Sequence, residues 1–272
     1  MHNEKEITAV IDAIKQSKKY QDTSAETIRE LAIEAVQQYK KPKAAIKAVR
    51  KRLHSIMAPY LGDADYAVGA QQLTAVFATG NKDAIKQLCA DLLYTHLSTR
   101  ERQPLLETFY QQIFAVTGRP ASLIDIACGL NPLAFPWMGL DTPMQFYAYD
   151  IHEPRIAFIN HYFRLQGLPQ LAVLQDVARQ FPQETADVAL FLKEMPRFAR
   201  NYHGMGRPLL EAIRARWLVI SYPTISTHGG RNLTNRYRDF MMQLLAGKSW
   251  PVTELLFEGE LVFCIEKTEA NS

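Results

Sequence analysis

The apolar positions of this chain change period near residue 120. Before it they recur at helical spacing: Ile7, Val10, Ile11 and Ile14 form one stripe, and Ile28, Leu31, Ala32, Ala35, Val36 and Tyr39 form another. Both follow the i, i+3, i+4, i+7 rule of a helix with one buried face. Thr23 or Ser24 can cap the second helix, with Glu26 in its first turn. Pro42 opens a third, whose stripe is Ile46, Val49, Leu53, Ile56 and Met57 and which Pro59 and Gly62 close. Further helices are predicted at about 71–78 and 84–97, and one at 104–116 is predicted to bridge the two halves of the chain.

From Ser122 onward short apolar runs alternate with helical stretches. Strands are predicted at 123–127, 145–150, 172–176, 187–192 and 217–221, and two more at 254–258 and 261–266 flank Gly259 as a terminal hairpin. Such alternation implies a mainly parallel sheet covered on both faces, with the hairpin supplying an antiparallel strand. The expected architecture is therefore α/β for residues 101–272, preceded by an all-α domain over residues 1–100.

Composition narrows the setting. At 272 residues and 47% hydrophobic, the chain can bury the core of one or two domains. Its three cysteines, Cys89, Cys128 and Cys264, are far apart and never in Cys-x-x-Cys, which argues against a disulfide framework or a zinc site and for a reducing compartment. No apolar run approaches the roughly 20 residues that span a bilayer, and the start of the chain has no signal-peptide character, so a cytoplasmic, membrane-free and metal-free protein is expected. The net charge of +3 is unevenly shared. Residues 1–60 hold twelve Lys/Arg against seven Asp/Glu, a surplus of +5, which leaves −2 for the remainder. A basic segment ahead of a mildly acidic one suggests a polyanion-docking module joined to a chemical domain.

The chemistry concentrates between residues 124 and 150. Ile124-Asp125-Ile126-Ala127-Cys128-Gly129-Leu130-Asn131-Pro132 reads as a strand running into a loop, and Gln145-Phe146-Tyr147-Ala148-Tyr149-Asp150 as the next strand ending in an acid. In an open α/β sheet such a loop lets backbone approach a ligand, and the acid accepts hydrogen bonds from ribose hydroxyls. Ala127 and Gly129 are the small residues there; the loop has no Gly-x-Gly-x-x-Gly, and no Gly-Lys-Ser/Thr follows it. That disfavours a pyrophosphate site and a P-loop, and favours a nucleoside without phosphates, with S-adenosylmethionine the leading candidate.

A second concentration is basic. Residues 40–52 contain seven Lys/Arg and no acid, and Lys43, Lys47, Arg50 and Lys51 fall on one helical face, largely opposite the apolar stripe. Charge runs are usually solvated faces, but this one lacks the acids that would form i, i+4 pairs, and polyanion binding explains that absence better.

Several blocks in order carry a more specific resemblance. With Thr95-His96-Leu97-Ser98-Thr99-Arg100-Glu101-Arg102 upstream of the 125–132 loop, followed by Tyr149-Asp150-Ile151-His152, Leu174-Gln175-Asp176-Val177 and Ser221-Tyr222-Pro223-Thr224 with Gly229-Gly230-Arg231, the chain resembles the 16S ribosomal RNA guanine-N7 methyltransferases of aminoglycoside resistance (Arm/Rmt type). Ser17-Lys18-Lys19-Tyr20 and Val49-Arg50-Lys51-Arg52-Leu53-His54 extend the likeness over nearly the whole chain. The resemblance implies a class I (Rossmann-like) methyltransferase with a mainly parallel seven-stranded sheet. It implies methyl transfer from S-adenosylmethionine, leaving S-adenosylhomocysteine, to N7 of guanine 1405 in 16S rRNA of the assembled 30S subunit, by a monomer.

Roles follow from the resemblance residue by residue. Arg102 would pair with the methionine carboxylate, for which a guanidinium offers two parallel charge-assisted bonds. His96 and Thr99 on the same stretch, Asp125, Ala127 and Gly129 in the loop, Asp150 and Ile151 at the ribose, and Gln175, Asp176 and Val177 at the adenine would complete the cofactor site. Lys19, Lys43, Lys47, Arg50, Lys51, Arg52, His54, Lys193, Arg231 and Arg236 would meet RNA. Plainer readings stand beside these: a solvated Arg102, a hydrogen-bonded helix histidine at 96, a turn or cap acid at 176, a surface lysine at 193. No acid–base residue is assigned, because guanine N7 already presents a lone pair.

One segment departs from the family. Where the resistance enzymes carry Gly-Met-Glu-x-Asn-Tyr, this chain has Asn232-Leu233-Thr234-Asn235-Arg236-Tyr237. A divergent homologue acting on another rRNA position, or one that binds cofactor and rRNA with little catalysis, are the competing readings.

Overall fold

Both parities of the apolar strand runs are buried, because each parity supplies one face of a central sheet. In a computed structural model, which describes residues 4–57, 65–226 and 230–268, seven strands form one sheet in the order β3-β2-β1-β4-β5-β7-β6. They are β1 (Ser122–Ile126), β2 (Gln145–Asp150), β3 (Ala172–Leu174), β4 (Thr185–Leu192), β5 (Arg214–Pro223), β6 (Val252–Phe257) and β7 (Glu260–Glu266). The first five pair in parallel; β7 runs antiparallel to both β5 and β6. Glu258 and Gly259 make the two-residue hairpin turn, with Gly259 at φ 78°, a conformation that suits a residue without Cβ.

Leu123, Phe146, Val188, Leu190, Val219 and Val262 point to one face; Ile124, Ile126, Tyr149, Ala189, Phe191, Ile220 and Phe263 point to the other. The first face is covered by α4 (Tyr66–Ala78), α5 (Lys82–Thr95), α7 (Leu106–Thr117), α8 (Phe135–Met138) and α9 (Glu153–Gln166), which contribute Leu73, Leu92, Leu93, Phe109, Ile113 and Phe163 to its core. The second is covered by α10 (Met195–Asn201), α11 (Gly206–Ala212) and α12 (Thr234–Leu244). The short helix α6 (Leu97–Arg102) links α5 to α7 through a 3-10 turn.

The N-terminal helices α1 (Glu4–Lys15), α2 (Ala25–Gln38) and α3 (Pro42–Met57) pack on each other around Val10, Ile14, Ile28, Leu31, Val49 and Leu53, a core separate from those of the sheet. Ser24 caps α2, its Oγ accepting from the Thr27 N–H at 3.4 Å. Two expectations change here. The helix expected to bridge the halves, α7, lies on the sheet with Phe109 and Tyr110 fully buried there, and α4 and α5 share that core. The packing therefore divides after α3, not near residue 100. Pro59, Gly62, His228 and Gly229 fall outside the described residues.

The two bodies are tied by backbone. The Ser24 N–H donates to the Ile151 carbonyl at 2.8 Å, and the Glu153 N–H to Asp22 at 2.9 Å. Ser55 Oγ donates to Asn201 Oδ1 at 2.9 Å, and Arg179 pairs with Glu34.

Candidate active site

Strand order reverses between β1 and β4, and a cleft opens outside the carboxyl ends of the strands, where open α/β sheets bind ligands. Arg102 and Asn131 line it, followed by Asp125, Ala127 and Gly129, then Asp150 and Ile151, then Gln175, Asp176 and Val177. Loops scattered over some 80 residues thus meet in one wall. Ile56 and Met57, the last turn of α3, also line it, with Phe198 of α10 and Tyr202 just after that helix.

The loop after β1 is strained where it meets the cleft. Ala127 has φ 51° and Gly129 φ 54°, left-handed values that disfavour a side chain. Gly129 is confined twice, since a Cβ there would lie 2.6 Å from His96 Nε2. His96 is accordingly a buried wall residue behind the loop. Thr99 faces away from the cleft: its Oγ1 donates to the carbonyls of Leu93, at 2.5 Å, and His96, at 3.1 Å, and so holds the turn between α5 and α6.

Arg102 is fully buried and already held. Glu260 takes its Nε–Nη2 edge (Nη2–Oε1 2.7 Å, Nε–Oε2 3.1 Å), and Nη1 donates to Asn131 Oδ1 at 3.0 Å. Asn131 in turn accepts from Tyr110 Oη at 2.6 Å and donates to Asp125 Oδ2 at 2.8 Å. The solvated arginine considered from sequence is therefore not what folds.

Burial pushes the Asp125 carboxyl up to about 8, against the Asn131 hydrogen bond and the Arg102 charge, which lower it. The unfolded chain ionises this acid near its ordinary value of 3.8, while the folded protein keeps it protonated. Its contribution to stability is thus complete below that value and declines as pH rises toward 8. We expect Asp125→Asn to flatten this part of the profile, its melting temperature gaining on the parent's as pH rises. Parallel melting curves from pH 5 to 8 would refute it.

Asp150 is a saturated acceptor. Arg155 Nη1 reaches both its oxygens, at 3.0 and 2.9 Å, the His152 N–H donates to Oδ1 at 3.0 Å and the Gly129 N–H to Oδ2 at 3.1 Å. Asp176 accepts from the Ala178 N–H at 3.0 Å and Tyr202 Oη at 3.2 Å, yet burial still raises its carboxyl above the ordinary range.

The residues expected to meet RNA separate into two groups. Lys43, Lys47, Arg50 and Lys51 are exposed on α3, beside Lys19 and His54, whose Nζ and Nδ1 lie 3.2 Å apart. The buried stripe beneath is Ala45, Val49, Leu53 and Met57, with Ile46 and Ile56 half-buried. Arg52 is half-buried with its guanidinium 5.2 Å from the Tyr202 ring, and Arg231 and Arg236 are exposed. Lys193 is different. It is buried at the end of β4 with φ 61°, its Nζ 3.3 Å from Glu260 and 2.9 Å from Glu101, so it belongs to the ionic network and not to the exposed surface. The departing segment starts α12, where Tyr237 stacks on buried Tyr222 with ring centroids 4.6 Å apart.

Ribosomal RNA methyltransferases of the FmrO family match the chain from residue 16 to residue 264. This chain belongs to that family. It is 30% identical to the 16S rRNA (guanine(1405)-N(7))-methyltransferase of Micromonospora echinospora, over 97% of this chain and 98% of the relative. Identity to the enzyme of the same name from Serratia marcescens is also 30%, over 96% and 98%. The crystal structure of 16S rRNA methyltransferase RmtF in complex with S-adenosyl-L-homocysteine superimposes with a TM-score of 0.81 at 29% identity, covering 97% of this chain and 98% of that one. The fold is that of a class I methyltransferase.

Sequence reasoning missed Glu260, Asn131, Arg155 and Tyr202. Asn131 stood inside the quoted motif, but a side-chain amide carries no periodic signal. Glu260 sits in a hairpin far along the chain. Among the described residues no cluster could hold a metal ion, and no helix is long and apolar enough to cross a membrane.

Proposed function

We propose that this protein transfers a methyl group from S-adenosylmethionine to N7 of guanine 1405 in the 16S rRNA of the assembled 30S subunit, and that it acts in the cytoplasm as a monomer. The carrying observation is that α3 meets the cleft with Ile56 and Met57 while presenting Lys43, Lys47, Arg50 and Lys51 to solvent. The element suited to rRNA thus borders the pocket suited to the cofactor. In this reading residues 1–57 dock on rRNA and the rest of the chain carries the chemistry.

The residues present fit the cofactor. Arg102 is a cation in the cleft for the methionine carboxylate, with the Asp125 carboxyl also lining the cleft. Asp150 would bind the ribose; its lone pairs are all engaged, so a hydroxyl reaches it by displacing Arg155 Nη1 from one oxygen. Asp176 faces the adenine end, between Gln175 and Val177. When bound, the sulfonium supplies an electrophilic methyl group for in-line displacement. The chain's task is alignment of the acceptor, with no proton to remove from N7. The guanine must leave its stack at a cost on the order of a few kcal/mol, which rRNA contacts from α3 and from Arg231 and Arg236 offset. Phosphate contacts there position the protein by shape without reading sequence.

Purified 30S subunits incubated with the protein and labelled S-adenosylmethionine test this directly. Label in a single N7-methylguanine at position 1405 is expected, together with resistance of expressing bacteria to 4,6-disubstituted deoxystreptamines but not to apramycin. Label at another nucleotide would support the departing 232–237 segment as a change of target. No incorporation would leave a binding protein.

A further inference from the structure

We propose that Glu260 is the positioning residue for cofactor recognition: it clamps the Nε–Nη2 edge of Arg102 and so aims the rest of the guanidinium at the carboxylate end of the cleft. The inference rests on the reading of that cleft as an S-adenosylmethionine site. Glu260 is wholly buried and does not line the cleft, so it reaches a ligand only through other side chains.

Its partners are few and specific. Oε1 accepts from Arg102 Nη2 at 2.7 Å, Arg102 Nε at 3.3 Å and Ser221 Oγ at 2.5 Å; Oε2 accepts from Arg102 Nε at 3.1 Å and lies 3.3 Å from Lys193 Nζ. Ser221 ends the apolar part of β5, and its Oγ and carbonyl each accept from the Lys193 N–H at 3.0 Å. One carboxylate therefore joins Arg102 in the cleft to the end of β4, where the Lys193 backbone is left-handed.

A guanidinium is a rigid planar fork. With one edge held in two directions it cannot rotate in its plane, and Phe109, whose ring centroid lies 4.7 Å from Cζ, restrains it out of plane. Stability alone is a weak reason to bury such a group, because an apolar pair of similar volume serves as well or better. Orientation of a charged fork is something an apolar pair cannot supply.

The test compares two ligands on the full-length protein by calorimetry. S-adenosylhomocysteine carries the amino-acid carboxylate; 5′-methylthioadenosine shares the adenine, ribose and thioether but lacks it. Glu260→Gln, which preserves shape and one acceptor oxygen, should weaken S-adenosylhomocysteine by about tenfold or more while leaving methylthioadenosine within about twofold. Glu260→Asp, still anionic, should recover part of the difference, and adding Glu260→Gln to Arg102→Met should cost nothing further. Equal weakening of both ligands would reveal a packing role and overturn the proposal, as would unchanged S-adenosylhomocysteine affinity. Arg102→Met measured alongside separates the levels. If it leaves the ratio of the two affinities unchanged, Arg102 does not bind the carboxylate and the cofactor reading of that residue fails. If it lowers the ratio and Glu260→Gln does not, only the role of Glu260 falls.

Discussion

Arg102→Met should destabilise the protein by about 3–5 kcal/mol, the usual cost of leaving one member of a buried ion pair behind. Burial opposes the charge of this guanidinium, but the Glu260 carboxylate, hydrogen-bonded to it, holds it protonated. Burial likewise opposes ionisation of Glu260, yet Arg102 and Lys193 outweigh it and keep that carboxyl below its ordinary value of 4.5. The sign of the pH dependence follows. A depressed carboxyl contributes stability that is present above its unfolded value and lost as pH falls through its folded one. In Arg102→Met the same carboxylate is left with Lys193 and Ser221, its ionised form becomes costly, and protonation relieves that cost. The deficit in melting temperature relative to the parent should therefore be largest near pH 7 and shrink below about pH 4.5. Replacing both residues, as Arg102→Met with Glu260→Leu, should recover most of the lost stability while methyl transfer stays absent. A deficit independent of pH, or a double variant no more stable than the single one, would show that the pair is not the source of the effect.

The second large effect is on substrate binding. Changing Lys43, Lys47, Arg50 and Lys51 together to alanine should weaken affinity for 30S subunits by about a hundredfold near 0.15 M salt. It should also flatten the plot of log affinity against log salt by about 3 units, the release expected from four phosphate contacts. All four side chains are exposed, and among the described residues none is in an ion pair; Arg50 Nη2 donates to the Ala13 carbonyl at 3.3 Å. Stability and S-adenosylhomocysteine affinity should hardly move, since surface changes of this kind stay within about 0.5 kcal/mol each. Binding of labelled subunits across a salt series measures it. An unchanged slope would remove α3 from the rRNA interface.

Where local pattern carried the signal, the elements were legible. The cores of all seven strands were readable because β-branched and aromatic runs bounded by turns have few other uses. Errors sit at edges with a physical cause. β4 and β5 start earlier than their apolar runs, at Thr185 and Arg214, because there the strands bury one face only and alternate with exposed residues. α4 begins at Tyr66, ahead of the expected 71, since Asp65 caps it; within its first turns Gly69 lets Phe158 approach to where a Cβ would lie 3.2 Å away. α7 buries residues on a broad face, and that breadth does not say which neighbour covers it.

The order of the candidate site along the chain, Arg102, then the 125–129 loop, Asp150 and Asp176, was legible, as was the acid-free basic helix, because motif spacing and helical phase are short-range properties of the backbone. Tertiary structure alone decided the partners. Arg102 meets Glu260 across 158 residues, Lys193 turns inward to the same carboxylate, and the end of α3 closes on the cleft. Periodicity reports what one element buries. The pairing of buried charges depends on distance in a medium of low dielectric, where a group remote in sequence decides whether an arginine is solvated, locked or aimed.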